Sequence, residues 1–284
     1  MKFLKIFVFI SICINVSAQE ATYTIKDELI FYSDVMVNGA KVENRLRAGN
    51  NFFNLFDNYI QKNNDLSFLE FISVLEPLDK AFKLISWQVE ADKYNYEYFA
   101  YILFPDGAVH RLEHTNSLIK ELQNEVLELS DWYGAWYYNI KKIGDDYLIF
   151  GYDANSEFTN QKVVDVINLG PEITLGKPIF ADKEDPEFFR NRLMISFSAD
   201  ASVNLNYNPG LEMIVHDHLM QRMGRLPGQG PTNIPDGTYE GYQFENGKWK
   251  YIEKMFNHSY GNNNAPRPKP ILDTKRGDSK KKKK

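Results

Sequence analysis

Two histidines that flank an aspartate are the residues of this sequence best suited to hold a metal ion. His216-Asp217-His218 lies in a predicted strand, so His216 and His218 project to one face roughly 7 Å apart at Cα, a spacing that lets both bind one zinc ion. Asp217 points the other way, so a third ligand has to come from elsewhere, for instance Asp236 or His110. No HExxH or other complete ligand signature is present. In the structural alternative, one histidine hydrogen-bonds across the sheet and the other faces water.

A cluster of aromatic residues, Trp132, Tyr133, Trp136, Tyr137 and Tyr138, is the second candidate. Flat aromatic faces can stack on sugar rings, which suggests a glycan platform. Alternation along the strand places Trp136 and Tyr138 on one face and Tyr137 on the other. Aromatic residues on a sheet face usually belong to the core, because each buries a large apolar area. Core packing and glycan binding therefore both remain open for this cluster.

Other chemistry has less support in the sequence. Asp153, Asn155 and Glu157 alternate oxygen ligands that could weakly hold calcium, but the glycine and final glutamate of an EF-hand are absent. There is no GxSxG nucleophile elbow. The glycine-rich stretch 224–230 lacks the strand, helix and Lys-Ser/Thr ending of a phosphate loop. These observations favour a non-catalytic protein without settling the point; no cofactor is predicted, and a divalent metal such as zinc is the alternative.

The elements that position these residues are mainly strands. Apolar spacing predicts a helix from Asn50 onward, a second over 66–75 before Pro77, and a third over 116–129. Pro105-Asp106-Gly107, Gly144-Asp145-Asp146 and Glu245-Asn246-Gly247 are hairpin signals. The many Gly and Pro residues of 222–235 predict an irregular loop. The predicted strands cover residues 81–90, 94–104, 108–112, 136–143, 147–152, 162–169, 192–199, 202–207, 211–219, 239–244 and 248–254.

Tight turns between consecutive strands require antiparallel pairing, so the fold class is mainly β (α+β), an antiparallel β meander with a few N-terminal and central helices. The predicted regions are a signal peptide at 1–18, an N-terminal α+β region at 19–130, an antiparallel β region at 131–256, and a disordered Pro/Lys-rich tail at 257–284.

The N-terminus predicts export. Lys2 and Lys5 precede a short apolar run, and Val16-Ser17-Ala18 supplies the small residues that signal peptidase requires. The run is too short for a transmembrane span, which needs ~20 residues. Cys13, the one cysteine, lies inside this leader, so cleavage leaves no thiol for a disulfide, a nucleophile or a metal site. We expect a soluble protein of the periplasm or the extracellular space.

Charge is distributed unevenly along the chain. The net charge is −5, but the last twenty residues hold nine Lys or Arg against two Asp, a balance of +7. Without the leader, which carries +2, the body from 19 to 265 has a net charge of −14. An acidic body argues against nucleic acid as a partner. The basic tail is either a solvated, disordered end or a contact for the envelope or another anionic surface.

Several short motifs together resemble a family of exported bacterial proteins of unknown function. They include Trp132-Tyr133-Gly134, Gly151-Tyr152-Asp153, Asp217-His218-Leu219 and Pro235-Asp236-Gly237-Thr238-Tyr239, and the similarity continues into the proline-rich, basic ending. The resemblance implies export and a shared β-rich fold, and it supplies no catalytic or binding residues.

The leading hypothesis from the sequence is an exported, non-catalytic protein of the periplasm or envelope with a binding or scaffolding role. The alternatives are a metal-dependent hydrolase or metal-binding protein, and a glycan-binding protein. The candidate ligand-binding residues are Trp132, Tyr133, Trp136, Asp217, His218 and Asp236, and the candidate metal ligands are His216 and His218.

Overall fold

A computed structural model of the chain describes residues 23–92, 95–115, 122–154 and 156–253. The predicted signal peptide and the predicted tail from 257 onward lie outside these residues. The described part contains two α-helices, α1 (Ile25–Asn38) and α2 (Val42–Ile60). Its strands are β1 (Ser73–Leu75), β2 (Lys83–Asp92), β3 (Asn95–Leu103), β4 (Val109–Leu112), β5 (Leu127–Glu128), β6 (Trp136–Ile143), β7 (Asp146–Asp153), β8 (Thr159–Leu169), β9 (Ile173–Leu175), β10 (Phe180–Ala181), β11 (Phe189–Arg190), β12 (Leu193–Ser198), β13 (Leu205–Asn208), β14 (Met213–Met223), β15 (Pro231–Glu245) and β16 (Lys248–Ile252).

The strands form three sheets in the described part of the chain, which confirms the mainly β, α+β class. Sheet 1 has the order β1-β2-β3-β4, and sheet 2 has the order β5-β9-β8-β7-β6 with β12 also paired to β8. Sheet 3 has the order β11-β10-β16-β15-β14-β13. Each sheet contains a meander of consecutive strands joined by tight turns, and these pair antiparallel as predicted. The short strand β10 pairs parallel to β16.

The helices and the three sheets stack as four layers with a core at each interface. The first core packs α1 and α2 on one face of sheet 1, with Phe52 and Phe56 against Trp87. The second core lies between sheets 1 and 2, and the third lies between sheets 2 and 3. Along β7, Ile149 belongs to the second core, whereas Phe150 belongs to the third. Sheet 2 is therefore covered on both faces, which explains why the middle of β7, residues 147–150, is a continuous apolar run.

Helix α1 precedes the first helix that the sequence predicted, and α2 starts eight residues before Asn50. The side chain of Thr24 accepts a hydrogen bond from the backbone N–H of Asp27, and the Asp27 carboxylate accepts one from the backbone N–H of Thr24. This capping box is a local start signal. Within α2, a Cβ on Gly49 would lie 2.7 Å from Val89, so glycine lets the helix approach sheet 1 closely.

The predicted helix over 66–75 is wrong. These residues form turns and then β1, whose Ser73 pairs with Ser86 of β2 and donates its hydroxyl to the Tyr137 carbonyl at 2.6 Å. Leu66 and Leu69 are buried in the first core. Their three-residue spacing thus reflects a compact turn beneath α2, with the Leu69 N–H on the Leu66 carbonyl, and pairing with β2 overrides local helix propensity.

The predicted helix over 116–129 is also wrong where the structure describes it, from 122 onward. That part contains a 3₁₀ turn at Leu122–Asn124, strand β5, and a second 3₁₀ turn at Leu129–Asp131. The carbonyl of Gln123 accepts the backbone N–H of Asn191 at 2.7 Å, so distant partners replace the hydrogen bonds of a helix. Residues 116–121 lie outside the described chain.

The predicted irregular loop over 222–235 is shorter than expected. Strand β14 continues to Met223 and β15 begins at Pro231, which leaves 224–230 as the connection. Pro231 occupies the first position of its strand, where the missing N–H is tolerated. Pro235 lies opposite Leu219, beside the register shift after Asp217. The two prolines are accommodated by a strand end and a bulge.

Candidate functional site

The predicted aromatic cluster divides between the core and a cleft. Trp132 is fully buried and donates its indole N–H to the Tyr137 hydroxyl at 2.9 Å. The Tyr133 hydroxyl lies 3.2 Å from that of Tyr137, and the guanidinium of Arg192 lies 5.4 Å from the centre of the Tyr133 ring. Of these two candidates from the sequence, Trp132 is part of the packed interior, and Tyr133 is half-buried and packs against the second core.

Trp136 of the same cluster faces a cleft at the end of sheet 2. In the strand register, Trp136 of β6 lies opposite Tyr152 of β7, and Tyr152 lies opposite Lys162 of β8. Directly opposed residues in an antiparallel pair share one face. The three side chains therefore form a row across the sheet, and Tyr138 lies beside it, with its ring centre 6.3 Å from that of Trp136.

Residues 201–206, which lead into β13, form the opposite wall of the cleft. Two hydrogen bonds fix this wall to β6: the Tyr138 hydroxyl donates to the Leu205 carbonyl at 2.7 Å, and the Asn139 amide donates to Asn206 at 2.6 Å. The cavity between the walls has a volume of about 140 Å³. It lies between sheets 2 and 3, beside the third core.

Several polar groups that line the cleft have no hydrogen-bond partner among the described residues. They are the Trp136 indole N–H, the Tyr152 hydroxyl, the side-chain amides of Asn160 and Asn204, and the ammonium of Lys162. These side chains are half-buried and still accessible to solvent, so water satisfies their polar groups in the free protein and a polar ligand takes the place of that water. Free donors and acceptors around an aromatic-walled cavity are the usual composition of a small-molecule site.

Among the described residues that line this cleft, Lys162 alone carries a charge. Its Nζ lies 4.1 Å from the centre of the Tyr138 ring and 5.5 Å from that of Tyr152. No carboxylate within the described chain pairs with it. Burial lowers the pKa of Lys162 to about 8, since a low-dielectric surrounding disfavours the charged form. The amine is still mostly protonated at neutral pH.

His216, a predicted metal ligand, is buried and lies opposite Glu240 in the β14–β15 pair. Its Nδ1 is 3.0 Å from the Asp217 carbonyl and 3.4 Å from Glu240 Oε1. Burial lowers the pKa of His216 to about 4, although Glu240 acts in the opposite direction. Burial also acts to raise the pKa of Glu240, but hydrogen bonds from Lys183 and Tyr251 outweigh it and hold that pKa below its usual range.

His218, Asp217 and Asp236 lie near one another beside the register shift of the β14–β15 pair. His218 Nδ1 is 2.9 Å from Asp236 Oδ2, and the other Asp236 oxygen accepts the backbone N–H of Thr238. The Asp217 carboxylate accepts the backbone N–H of Asn204 at 2.7 Å. Each of these contacts ties neighbouring backbone segments together.

Within the described residues, no group of three or more His, Cys, Asp or Glu side chains could hold a metal ion. His110, considered as a third ligand, lies on β4 in sheet 1 and lines another cleft with Glu128 and Glu172. Of the possible calcium ligands, Asp153 ends β7 in a buried position that raises its pKa to about 6. Asn155 lies outside the described residues. The zinc alternative stays a prediction that metal analysis of untagged protein tests.

A larger cleft of about 440 Å³ lies beside His216 and is lined by Asp182, Lys183 and Arg190 among others. These charges are already paired: Arg190 donates to Asp182 at 2.5 Å, and Lys183 pairs with Glu240. The aromatic cleft, whose polar groups are uncommitted, is therefore the stronger candidate site.

Sequence reasoning missed Tyr152, Asn160, Lys162 and Asn204 as site residues. One available signal was Lys162, a charged residue at the start of the apolar run Val163-Val164. The pairing of Trp136 with Tyr152 and of Tyr152 with Lys162 depends on strand register, which the sequence did not reveal.

No helix of the described chain combines the length and the apolar character needed to span a bilayer. Neither a family model, a curated protein nor a solved structure gives a significant match to this chain.

Proposed function

We propose that this protein is an exported, non-catalytic carbohydrate-binding protein of the periplasm or cell envelope, and that a sugar ring occupies the aromatic cleft. The observation that carries the proposal is the row of Trp136, Tyr152 and Lys162, with uncommitted amides of Asn160 and Asn204 around the same cavity. The leader-like residues 1–18 support export, and the lack of a complete catalytic motif supports binding without turnover.

The chemistry of the cleft matches the two kinds of surface that a sugar presents. Aromatic rings are large, flat and rigid, so they can cover the C–H face of a pyranose without losing much conformational freedom. Hydroxyl groups at the edge of the sugar both donate and accept, as do the amides of Asn160 and Asn204 and the hydroxyl of Tyr152. The pairing of both surfaces in one cavity favours a sugar over a purely apolar ligand.

The size of the cleft limits what can enter. A volume of about 140 Å³ equals the share of roughly five water molecules at ~30 Å³ each. We therefore expect one ring of a monosaccharide, or the terminal ring of a longer glycan, to lie inside, while the remainder of a glycan extends into solvent.

Isothermal titration of the purified exported protein against a panel of monosaccharides and glycan termini tests the proposal. Trp136→Ala should weaken binding at least tenfold, which corresponds to a loss of about 1.4 kcal/mol. The matched control is Phe188→Ala, because Phe188 is an exposed aromatic residue outside the cleft, and this variant should bind like the wild type.

Absence of saturable binding to every sugar tested, or equal binding by wild type and Trp136→Ala, would refute the proposal. A defined turnover by the purified protein that one side-chain change abolishes would overturn its non-catalytic part.

A further inference from the structure

Lys162 is half-buried and, unlike several other cations of the described chain, has no carboxylate partner among the described residues. Lys177 pairs with Asp146, Lys183 with Glu240, and Arg192 with Asp165. Lys162 instead contacts the rings of Tyr138 and Tyr152 alone. Removing an ammonium from water without a counter-charge is unfavourable, so the free protein carries a destabilising group at this place.

The lining of the cleft is also free of negative charge. Apart from Lys162, the lining side chains are aromatic or aliphatic or carry an amide or hydroxyl group. Because the body of the chain has a net charge of −14, a pocket lined without one acidic side chain is a local exception. The cleft thus offers one unpaired positive charge and no repulsion to an anion.

The position of Lys162 within the row fixes where that anion would lie. Tyr152 separates Lys162 from Trp136 in the strand register, and neighbouring strands are 4.7–4.9 Å apart. Trp136 and Lys162 are therefore separated by about 10 Å across the sheet. A ring stacked between Trp136 and Tyr152 directs a substituent, and not the ring itself, toward the ammonium.

We propose that the sugar bound in the cleft is an acidic one, whose carboxylate or sulfate substituent pairs with Nζ of Lys162 while its ring contacts Trp136 and Tyr152. This inference rests on the proposed function, since it names the class of sugar that the same cleft takes. A uronic acid supplies a carboxylate on the carbon that carries a neutral hydroxyl in the parent sugar, so the two differ in charge and very little in shape.

Matched pairs of sugars test the inference: glucuronate with glucose, galacturonate with galactose, and mannuronate with mannose, together with glucose 6-sulfate. Titration should show at least one acidic sugar binding tenfold or more tightly than its neutral parent. The affinity for the acidic sugar should fall as salt is raised, because a partly exposed ion pair is screened.

Three variants separate the charge from other effects. Lys162→Met should abolish the preference for the acidic sugar, and Lys162→Arg should keep part of it, because arginine retains the charge. Lys141→Met is the matched control, since Lys141 also lies over a tyrosine ring, that of Tyr207, but does not line the cleft. The control should keep the wild-type preference.

The outcomes distinguish this inference from the proposed function. If neutral and acidic members of every pair bind equally, and Lys162→Met binds both like the wild type, the acidic class is refuted and carbohydrate binding stands. If glucose 6-sulfate is preferred and no uronate is, the anion is a sulfate. If no sugar of either kind binds, the proposed function fails, and the inference fails with it.

Discussion

Replacement of Lys162 by methionine should stabilise the ligand-free protein. Burial lowers the pKa of this amine from 10.5 to about 8, which corresponds to about 3 kcal/mol against the charged form at neutral pH. The contact with the Tyr138 ring at 4.1 Å offsets roughly 0.5–2 kcal/mol of this cost. Methionine keeps the apolar stem and fills the same space without a charge. We therefore expect a gain of about 1–3 kcal/mol in the free energy of unfolding at pH 7.

The pH dependence of this gain follows from the direction of the pKa change. Between about pH 8 and 10.5 the unfolded chain binds more protons at Lys162 than the folded protein does, so wild-type stability from this group rises with pH. The advantage of Lys162→Met should thus be full below pH 8 and shrink toward pH 10.5. Urea unfolding of both proteins across pH 7–10.5 measures it, with Lys141→Met as the control for a lysine outside the cleft.

A variant that is less stable than the wild type at pH 7, or whose difference does not change with pH, would show that the ammonium is not destabilising where it lies. The inference of an unpaired charge in the cleft would then lose its physical basis.

Three further perturbations test the packing around the site. Burial lowers the pKa of His216 to about 4, so the unfolded state binds more protons than the folded state between pH 6.5 and 4. The free energy of unfolding should therefore fall by up to about 3 kcal/mol as pH drops through that window. His216→Gln should reduce this pH dependence, as measured by urea unfolding. Asp165→Asn leaves the fully buried Arg192 without its counter-charge and should cost about 3–5 kcal/mol by thermal unfolding. Gly49→Ala places a Cβ 2.7 Å from Val89 and should cost about 1–3 kcal/mol through overpacking, despite the better helix propensity of alanine.

Each of these perturbations has a contrary result that would be informative. If the free energy of unfolding of His216→Gln fell with pH as steeply as that of the wild type, groups other than His216 would cause the loss of stability in acid. If Asp165→Asn left the thermal stability unchanged, the carbonyls of Leu122 and Leu175, which already accept hydrogen bonds from the guanidinium, would be enough to stabilise the charge of Arg192. A stabilised Gly49→Ala would mean that α2 can move away from sheet 1 at little cost.

The strands of four or more residues in the described chain were predictable from the sequence because their signals are local, whereas the short strands β1, β5, β9, β10 and β11 were not predicted. Every predicted strand region contains a strand in the structure, and the turn at Asn246-Gly247 has both residues at positive φ, as a tight hairpin requires. The capping box at Thr24 and Asp27 was equally local, so α1 could have been found from it.

The wrong helices had causes that local patterns do not contain. Leu66 and Leu69 are spaced like a helix face, yet they pack into a turn because β1 must pair with β2. Leu122 lies in a segment whose carbonyls serve Asn191 and Arg192, about seventy residues further along the chain. Such partners become visible only once the sheets are assembled.

The candidate site was only partly predictable for the same reason. Trp136 was found because an aromatic cluster is conspicuous in a sequence. Lys162 lies on β8 of the same sheet as Trp136, and Asn204 lies just before β13 of sheet 3. Only the assembly of these side chains around one cavity makes them a site. Trp132 was equally aromatic, but burial and its hydrogen bond to Tyr137 place it in the interior.

The four layers appear in space in nearly the same order as in the chain, helices first and then sheets 1, 2 and 3. A polypeptide that emerges N-terminus first, from a ribosome or through a membrane channel, can lay each new sheet on the finished face of the one before it. The face of sheet 2 that packs on sheet 3 would then stay uncovered only until the residues that follow have folded, so its hydrophobic strands spend little time exposed in an otherwise acidic chain.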